Sequence, residues 1–307
     1  MTRFLVTGAS GLLGRHFAWQ AAALGDVIGV VNDHTLTGVP FKVVTADLAQ
    51  SGKGRQLLEE THPDILVHCA ALANVDACDF QPDLAKRLNA DLPGELAKYT
   101  AEKGIKMLHI STDAVFNGLT GDYSETDLPD PLSIYAGTKL QGEQAVMAAN
   151  SQALVARVNF YGWSISGKRS LAEWFISNLV AGTQINGFTD IIFCPLEVTQ
   201  LCTILLEMLK SELMGLYHVV SSEKLSKYDF GKKLASTFGL DETLINPVSW
   251  RAGGLLAARS PLLTLKTEKV STELGKAMPG IQEGIERFFK AYQEGWPQQI
   301  RQLVVAS

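Results

Sequence analysis

The sequence of 307 residues predicts an α/β fold, a doubly wound parallel sheet followed by a smaller C-terminal lobe. Three observations predict it. Short apolar runs rich in β-branched residues alternate with helical stretches through the first half. Those runs are almost continuously hydrophobic, as strands covered on both faces are. A glycine-rich turn joins the first run to the first helix.

The elements follow in order. "FLVTG" (4–8) reads as the first strand, and "LLGRHFAWQAAALG" (12–25) as a helix that stops at a glycine. "VIGVV" (27–31), "KVVTA" (42–46), "ILVHCA" (65–70), "KMLHIS" (106–111) and "LVARVNF" (154–160) read as further strands. Helical stretches lie around 53–60 and 83–103, and another begins near Tyr135. Past residue 160 the rhythm changes. Segments 170–182, 197–211, 226–239 and 283–295 look helical, and "GLYHVV" (215–220) looks like a strand. We expect a nucleotide-binding domain over 1–160 and a smaller lobe over 161–307, with an approximate boundary that allows segments to interleave.

Composition narrows the class. A net charge of −5 and scattered Lys and Arg give no electrostatic case for nucleic acid. No apolar run reaches transmembrane length, and the N-terminus enters a strand at once, so a cytoplasmic protein is expected. Cys69, Cys78, Cys194 and Cys202 form no C-x-x-C pair and read as reduced thiols, with no metal site. The six histidines, His68 and His109 among them, read as structural residues rather than ligands.

"VTGASGLLGRH" places Gly8, Gly11 and Gly14 between the first strand and the first helix, with Ser10, Leu12 and Leu13 in the same turn. Glycines there permit a tight turn and close backbone approach to a pyrophosphate. The free N–H groups of the helix start favour the anion. This is the phosphate loop of a dinucleotide-binding Rossmann fold. At the end of the second strand, where NAD-preferring sites carry an acid, the chain reads "VVNDH". Asn32 would not repel a 2′-phosphate. Asp33 is either a ribose ligand or a loop-initiating acid. Asp47 and Leu48 follow the third strand and are placed to meet the adenine. NADPH is therefore favoured, with NADH also accepted.

Three tyrosine–lysine pairs share a four-residue spacing that puts both side chains on one helix face: Tyr99/Lys103, Tyr135/Lys139 and Tyr228/Lys232. Ligands of a doubly wound sheet bind outside the carboxyl ends of its strands. Tyr99 and Lys103 precede a strand, at the opposite edge, and read as a solvated surface pair. Tyr228 and Lys232 lie in the second lobe, with no nucleotide signal nearby. Tyr135 follows the strand that ends in Ser111-Thr112-Asp113 and lies on the cofactor side. Reduction of a ketone needs a hydride and a proton. A tyrosine can donate that proton if its pKa, about 10 when free, is lowered by the lysine beside it. Thr112 can polarise the carbonyl oxygen, and Lys139 can also hold the nicotinamide ribose.

At these residues the chain resembles the extended short-chain dehydrogenase/reductases, in particular the dTDP-4-dehydrorhamnose reductase family. The likeness includes "VTGASGLLG", "HCAALANVDACDFQPDLAKRLNA", "ISTDAVFNGLTGDYSETDLPDPLSIYAGTKLQGEQAV" and, more loosely, "GLYHVVSSEKLSKYDF". The resemblance implies an NAD(P)H-dependent reductase of a nucleotide-linked 4-keto-6-deoxy sugar, with Thr112, Tyr135 and Lys139 as the catalytic set. It implies that Ala70, Ala71, Ala73 and Asn89 line or support the cofactor side. It further implies substrate contacts at Asp113, Val115, Phe116, Asn159, Trp163 and Arg259, although a tryptophan such as Trp163 is more often simply packed. The partner expected is a small-molecule sugar nucleotide, with room for a homodimer. "ARVNFYGWS" (156–164) and "ARSPLLTLKTEK" (258–269) depart from the family's usual pattern, which leaves the sugar and the nucleotide open.

Alternatives on the same scaffold remain. A dehydratase of this type carries Asp-Glu after the threonine, whereas Thr112 is followed by Asp113 and Ala114. A sugar-nucleotide 4-epimerase would re-reduce its own ketone. A non-catalytic regulatory subunit, as in methionine adenosyltransferase, would bind a nucleotide without turnover.

Overall fold

The computed structural model describes residues 1–33, 35–167, 170–251 and 260–303. Strand β1 (Thr2–Thr7) leads through the glycine turn into α1 (Leu12–Ala21), followed by β2 (Gly25–Val31), β3 (Lys42–Thr45), α2 (Lys53–Thr61) and β4 (Ile65–His68). Next come α3 (Val75–Phe80), α4 (Pro82–Lys86), a π turn over Arg87–Asp91, α5 (Leu92–Lys103), β5 (Lys106–Thr112), α6 (Ile134–Ala149) and β6 (Leu154–Val158). The remainder comprises β7 (Phe160–Tyr161), α7 (Leu171–Val180), β8 (Ile185–Phe188), β9 (Ile192–Phe193), β10 (Leu196–Glu197), α8 (Val198–Lys210) and β11 (Gly215–Val219). It closes with β12 (Leu225–Ser226), α9 (Lys227–Phe238), β13 (Ile245–Val248), β14 (Leu262–Leu263), α10 (Glu268–Leu274), α11 (Ile281–Gln293) and α12 (Trp296–Arg301).

The main sheet has seven strands in the order β11-β6-β5-β4-β1-β2-β3, every neighbouring pair parallel. This is the doubly wound fold the sequence predicts. The chain winds outward from β1 to β3, then restarts at β4 on the other side of β1. Between β1 and β4 the winding reverses, which opens a crevice at their carboxyl ends. Central strands β4 and β6 are buried at every residue, whereas the edge strand β3 has none buried. Alternate side chains of β1 feed two cores. Phe4 and Val6 pack with α1 and α8, while Leu5 packs with α2, α5 and α6.

One boundary differs from the sequence reading. Residues 198–219 lie beyond residue 160 yet belong to the first layer. The apolar face of α8 packs in the same core as α1, and β11 completes the sheet beside β6. The second lobe keeps its own core, built around Trp163, Phe175, Phe230 and Phe288 from the segments on either side of that return.

Helix α6 is the element that positions the crevice chemistry. The Ser133 hydroxyl caps it, accepting from the Ala136 N–H at 3.2 Å, which starts the helix two residues before Tyr135. Its middle is pressed onto the π turn. A methyl group on Gly142 would stand 2.1 Å from the Asn89 carbonyl oxygen. Gly142→Ala is therefore expected to lower stability by about 1–3 kcal/mol. Gly137→Ala, in the same helix, would place its methyl where nothing lies within 4 Å. It is expected to be neutral or to raise stability by up to about 1 kcal/mol. Urea denaturation of both variants checks the contrast, and equal effects would refute the close backbone contact.

Candidate active site

The crevice holds a cavity of about 630 Å³ lined by the glycine turn, the ends of β2, β4, β5 and β6, and by Tyr135 and Lys139. Gly8 adopts φ +68°, and a Cβ there would stand 2.8 Å from the Ala70 backbone nitrogen, so the turn requires glycine twice over. The Gly11 N–H donates to the Gly8 carbonyl at 2.8 Å, closing the turn. Gly14 sits so close under it that a Cβ would meet the Gly8 oxygen at 2.3 Å. The start of α1 has no side-chain cap, and Ser10, Gly11, Leu12 and Leu13 at that start line the cavity. A dinucleotide pyrophosphate fits such a cradle.

Around it the expected adenine and ribose positions assemble. Asn32, Asp47, Leu48, Ala70, Ala71 and Ala73 all line this cavity, whereas Asp33 is exposed beside it. Asp47 Oδ1 accepts the Ala49 N–H at 2.9 Å, which fixes the loop after β3. Asn89 is buried and lines nothing; it supports. Its Oδ1 accepts the Leu72 N–H at 2.9 Å, while Nδ2 donates to the Leu72 carbonyl at 3.0 Å and to Thr138 Oγ1 at 3.1 Å. One side chain in a π turn thus pins the loop after β4 to α6.

A second cavity of about 450 Å³ adjoins the first and shares Ala73, Tyr135 and Asn159 with it. Its walls come from both lobes: Asn74, Asp76 and Ala114 on one side, Ile191, Phe193, Lys227 and Leu263 on the other. Tyr135 therefore stands where a dinucleotide-sized space meets a second space.

The three candidate pairs separate cleanly. Tyr99 is not part of a solvated pair. Its ring is buried against the α2 and α5 core, with the Lys103 ammonium 5.8 Å from its centroid. Tyr228 packs partly into the second-lobe core, and Lys232 forms an ion pair with Glu242. Tyr135 and Lys139 alone among the three pairs line the crevice.

The electrostatics differ from the sequence expectation in one respect. The sequence reading has Lys139 and a positively charged oxidised nicotinamide together lower the Tyr135 pKa, whereas the protein alone raises it. Burial pushes the phenol up to about 12, a hydrogen bond with Thr112 opposes this, and the Asp113 charge adds to it. The Lys139 ammonium is occupied elsewhere, donating to the Ile110 carbonyl at 2.6 Å. Burial pulls its pKa down to about 8, against the charge of Glu143. Thr112 Oγ1 donates to Asp113 Oδ1 at 3.2 Å and accepts the Ala114 N–H at 3.2 Å. Asn159 Nδ2 donates to Asp113 Oδ2 at 2.5 Å. Burial still lifts the Asp113 carboxyl to about 6, despite these bonds and the nearby Lys227 charge.

Of the expected substrate residues, Asp113 and Asn159 line the crevice. Three do not. Val115 and Phe116 are fully buried, and the Phe116 ring stacks on Tyr123 at 4.1 Å, because the short helical turn after β5 directs both inward. Trp163 is core: its ring stacks on Phe288 at 4.0 Å, and its Nε1 donates to the Phe288 carbonyl at 3.0 Å. Arg259 lies outside the described residues. The sequence missed Cys69, Ser111, Asn74, Asp76 and Lys227. For Lys227, which opens α9 in the second lobe, no local spacing carries a signal, since folding alone brings it to Asp113.

The four thiols are free. Among the described residues no group of three His, Cys, Asp or Glu side chains could hold a metal ion, and no helix is long and apolar enough to cross a membrane.

The Asp113 carboxyl makes a pH test available. Its proton is held more tightly in the folded chain, at about 6, than at the ordinary 3.8. Stability therefore falls as pH rises from 3.8 towards 6, and the loss is complete above that. Asp113→Asn lacks this titration. Relative to the variant, the wild type is expected to lose on the order of 3 kcal/mol over that window. Denaturant unfolding at both ends of the window checks it, and a constant difference would refute the assignment.

With this geometry in view, the chain can be compared with known proteins. Residues 2–294 match the family model described as the RmlD substrate binding domain. A Haloferax volcanii protein named as a probable low-salt glycan biosynthesis reductase is 33% identical, over 94% of this chain and 98% of its own. Methionine adenosyltransferase 2 subunit beta of Pongo abelii is 30% identical, over 93% and 88%. The crystal structure of dTDP-4-dehydrorhamnose reductase from Bacillus anthracis in complex with NADP is 28% identical and superposes with a TM-score of 0.81, covering 94% of this chain and 99% of that one. The chain belongs to the RmlD substrate binding domain family, the dTDP-4-dehydrorhamnose reductase-like branch of the extended short-chain dehydrogenase/reductases.

Proposed function

We propose that this chain is an NAD(P)H-dependent reductase of a nucleotide-linked 4-keto-6-deoxy sugar, with Tyr135 as its proton donor. The observation that carries the reading is the position of Tyr135. It stands between a cavity built for a dinucleotide and a second cavity, with Thr112 at its hydroxyl and Lys139 one helical turn away. The relatives named as reductases, and the solved relative in complex with NADP, support the same reading.

A bound dihydronicotinamide supplies the hydride. The chain supplies the rest. Tyr135 is protonated across the physiological range, as an acid that must give a proton to a developing alkoxide has to be. Thr112, hydrogen-bonded beside the phenol, orients the carbonyl oxygen towards it. Lys139 holds the ribose hydroxyls and, as negative charge grows on the phenol during transfer, stabilises it. Asn159, which lines both cavities, donates to Asp113, which lines the first. Asn32 in place of an acid favours NADPH, with NADH as the second coenzyme.

A second reading rests on the relative named as a subunit of methionine adenosyltransferase. On it, the crevice binds a nucleotide without turnover. Oxidation of NADPH or NADH by 4-keto sugar nucleotides separates the two readings, since tight coenzyme binding without oxidation by any of them would leave the second.

If Tyr135 is the donor, Tyr135→Phe is expected to keep folding and coenzyme binding while turnover falls by roughly 10²–10⁴-fold. Tyr99→Phe and Tyr228→Phe, remote from the crevice, are expected to stay within a few-fold of wild type. Near-normal reduction by the Tyr135 variant would sink the mechanism. Turnover is also expected to decline as pH rises through about 8, where Lys139 loses its proton. For the coenzyme, fluorescence titration is expected to show NADPH binding at least as tightly as NADH. Binding of NADH alone would assign Asp33 as the ribose carboxylate.

A further inference from the structure

Strand β5 grips α6 at three consecutive residues. The Ile110 carbonyl accepts from Lys139, Thr112 meets Tyr135, and between them Ser111 Oγ donates to Glu143 Oε1 at 2.5 Å. Glu143 stands one turn beyond Lys139 and two beyond Tyr135, on the same helix face. The reduction described above assigns it no role. Its carboxylate is locked in place: Arg157 Nε donates to Oε1 at 3.0 Å and Nη2 to Oε2 at 2.7 Å, with the two side chains 5% and 3% exposed. Arg157 is fixed in turn, its guanidinium 4.9 Å from the Phe116 ring centroid and Nη1 3.3 Å from His218 Nε2.

A buried ion pair is weak evidence for stability, because apolar side chains of similar volume often serve as well. Its neighbours suggest another use. The titratable groups that interact with the Lys139 ammonium are Glu143 from α6, Cys69 and His68 from the β4 end, and His109 from β5, with Arg157 of β6 bonded to Glu143; Tyr135 stands one turn away on α6. Burial keeps both imidazoles neutral, His68 drawn down to about 3 and His109 well below its ordinary value. The Cys69 thiol and the Tyr135 phenol are each pushed up to about 12, so they too are uncharged. Glu143 is the anion left in this set.

We propose that Glu143 is a positioning residue for the reaction: its carboxylate, held by Ser111 and Arg157 one helical turn from Lys139, is the fixed negative charge that sets the lysine's charge state and place. The inference deepens the proposed reaction and rests on it for its meaning, but the charge relay itself can be measured without substrate.

Glu143→Gln keeps the shape and an acceptor oxygen while removing the charge. In protein labelled at lysine Cε, the Lys139 signal is identified by its absence from Lys139→Met and titrated by NMR. The wild type is expected to titrate near 8, and in Glu143→Gln the proton affinity is expected to fall about tenfold or more. NADPH affinity of the variant should match wild type in mildly acidic buffer and fall below it as pH rises, a rescue that a merely structural role would not show. If Glu143→Gln leaves Arg157 too exposed to fold, Glu143→Gln/Arg157→Met removes both charges and is expected to lower the Lys139 titration as well. An unchanged Lys139 titration in either folded variant overturns the proposal. A shifted titration in a protein that oxidises no coenzyme would overturn the assigned reaction instead, and leave Glu143 as the keeper of the lysine charge.

Discussion

The seating of α6 on β5 is the constraint from which the rest of this site follows. The helix approaches closely because Gly142 has no side chain where the Asn89 carbonyl passes. Its start is fixed by the Ser133 cap and its middle by the bond from Lys139 to the Ile110 carbonyl. With start and middle set, a four-residue period on the helix meets consecutive residues on the strand. Tyr135, Lys139 and Glu143 find Thr112, Ile110 and Ser111. A slip of one residue along the helix would turn this face by about 100° and break all three contacts at once.

Burial then gives the crevice its electrical character. Burial drives the groups around Tyr135 and Lys139 towards their neutral forms: Tyr135 and Asp113 upward, Lys139, His68 and His109 downward. A neutral phenol suits a proton donor. A neutral amine does not suit the role of Lys139. The interior therefore needs a fixed negative charge near that one group, and a carboxylate bound by an arginine and a serine is a form of charge that does not move or pick up water.

The second lobe contributes one wall of the second cavity. Its own aromatic core, with Trp163 stacked between Phe288 and Tyr292, makes it a solid wall. From that wall Ile191, Phe193 and Lys227 reach over the second cavity. The family relation covers both lobes, and the proteins it includes carry reductase and adenosyltransferase-subunit names alike.

Much of this was legible in the sequence because it is local. Strand and helix periods, the glycine turn, and the four-residue step from Tyr135 to Lys139 are encoded over a few residues, and chain order alone puts Tyr135 at the carboxyl end of a strand. Asn32 and Asp47 are strand-end residues of such a winding and line the crevice, as does Ala70, which the family resemblance supplied. The misses share a different cause. Residues 198–219 return to the first layer only because β6 offers a free edge and α1 an uncovered apolar face. Trp163 turns inward because Phe288, 125 residues later, supplies its stacking surface and its acceptor. Lys227 reaches Asp113, and Arg157 reaches Glu143, only once separate elements pack. The sequence by itself determined the winding, the glycine turn and the four-residue step from Tyr135 to Lys139, since nearest-neighbour geometry writes these. Only the tertiary structure decided the charges on that pair, because a pKa in a buried site depends on what the distant chain places around it.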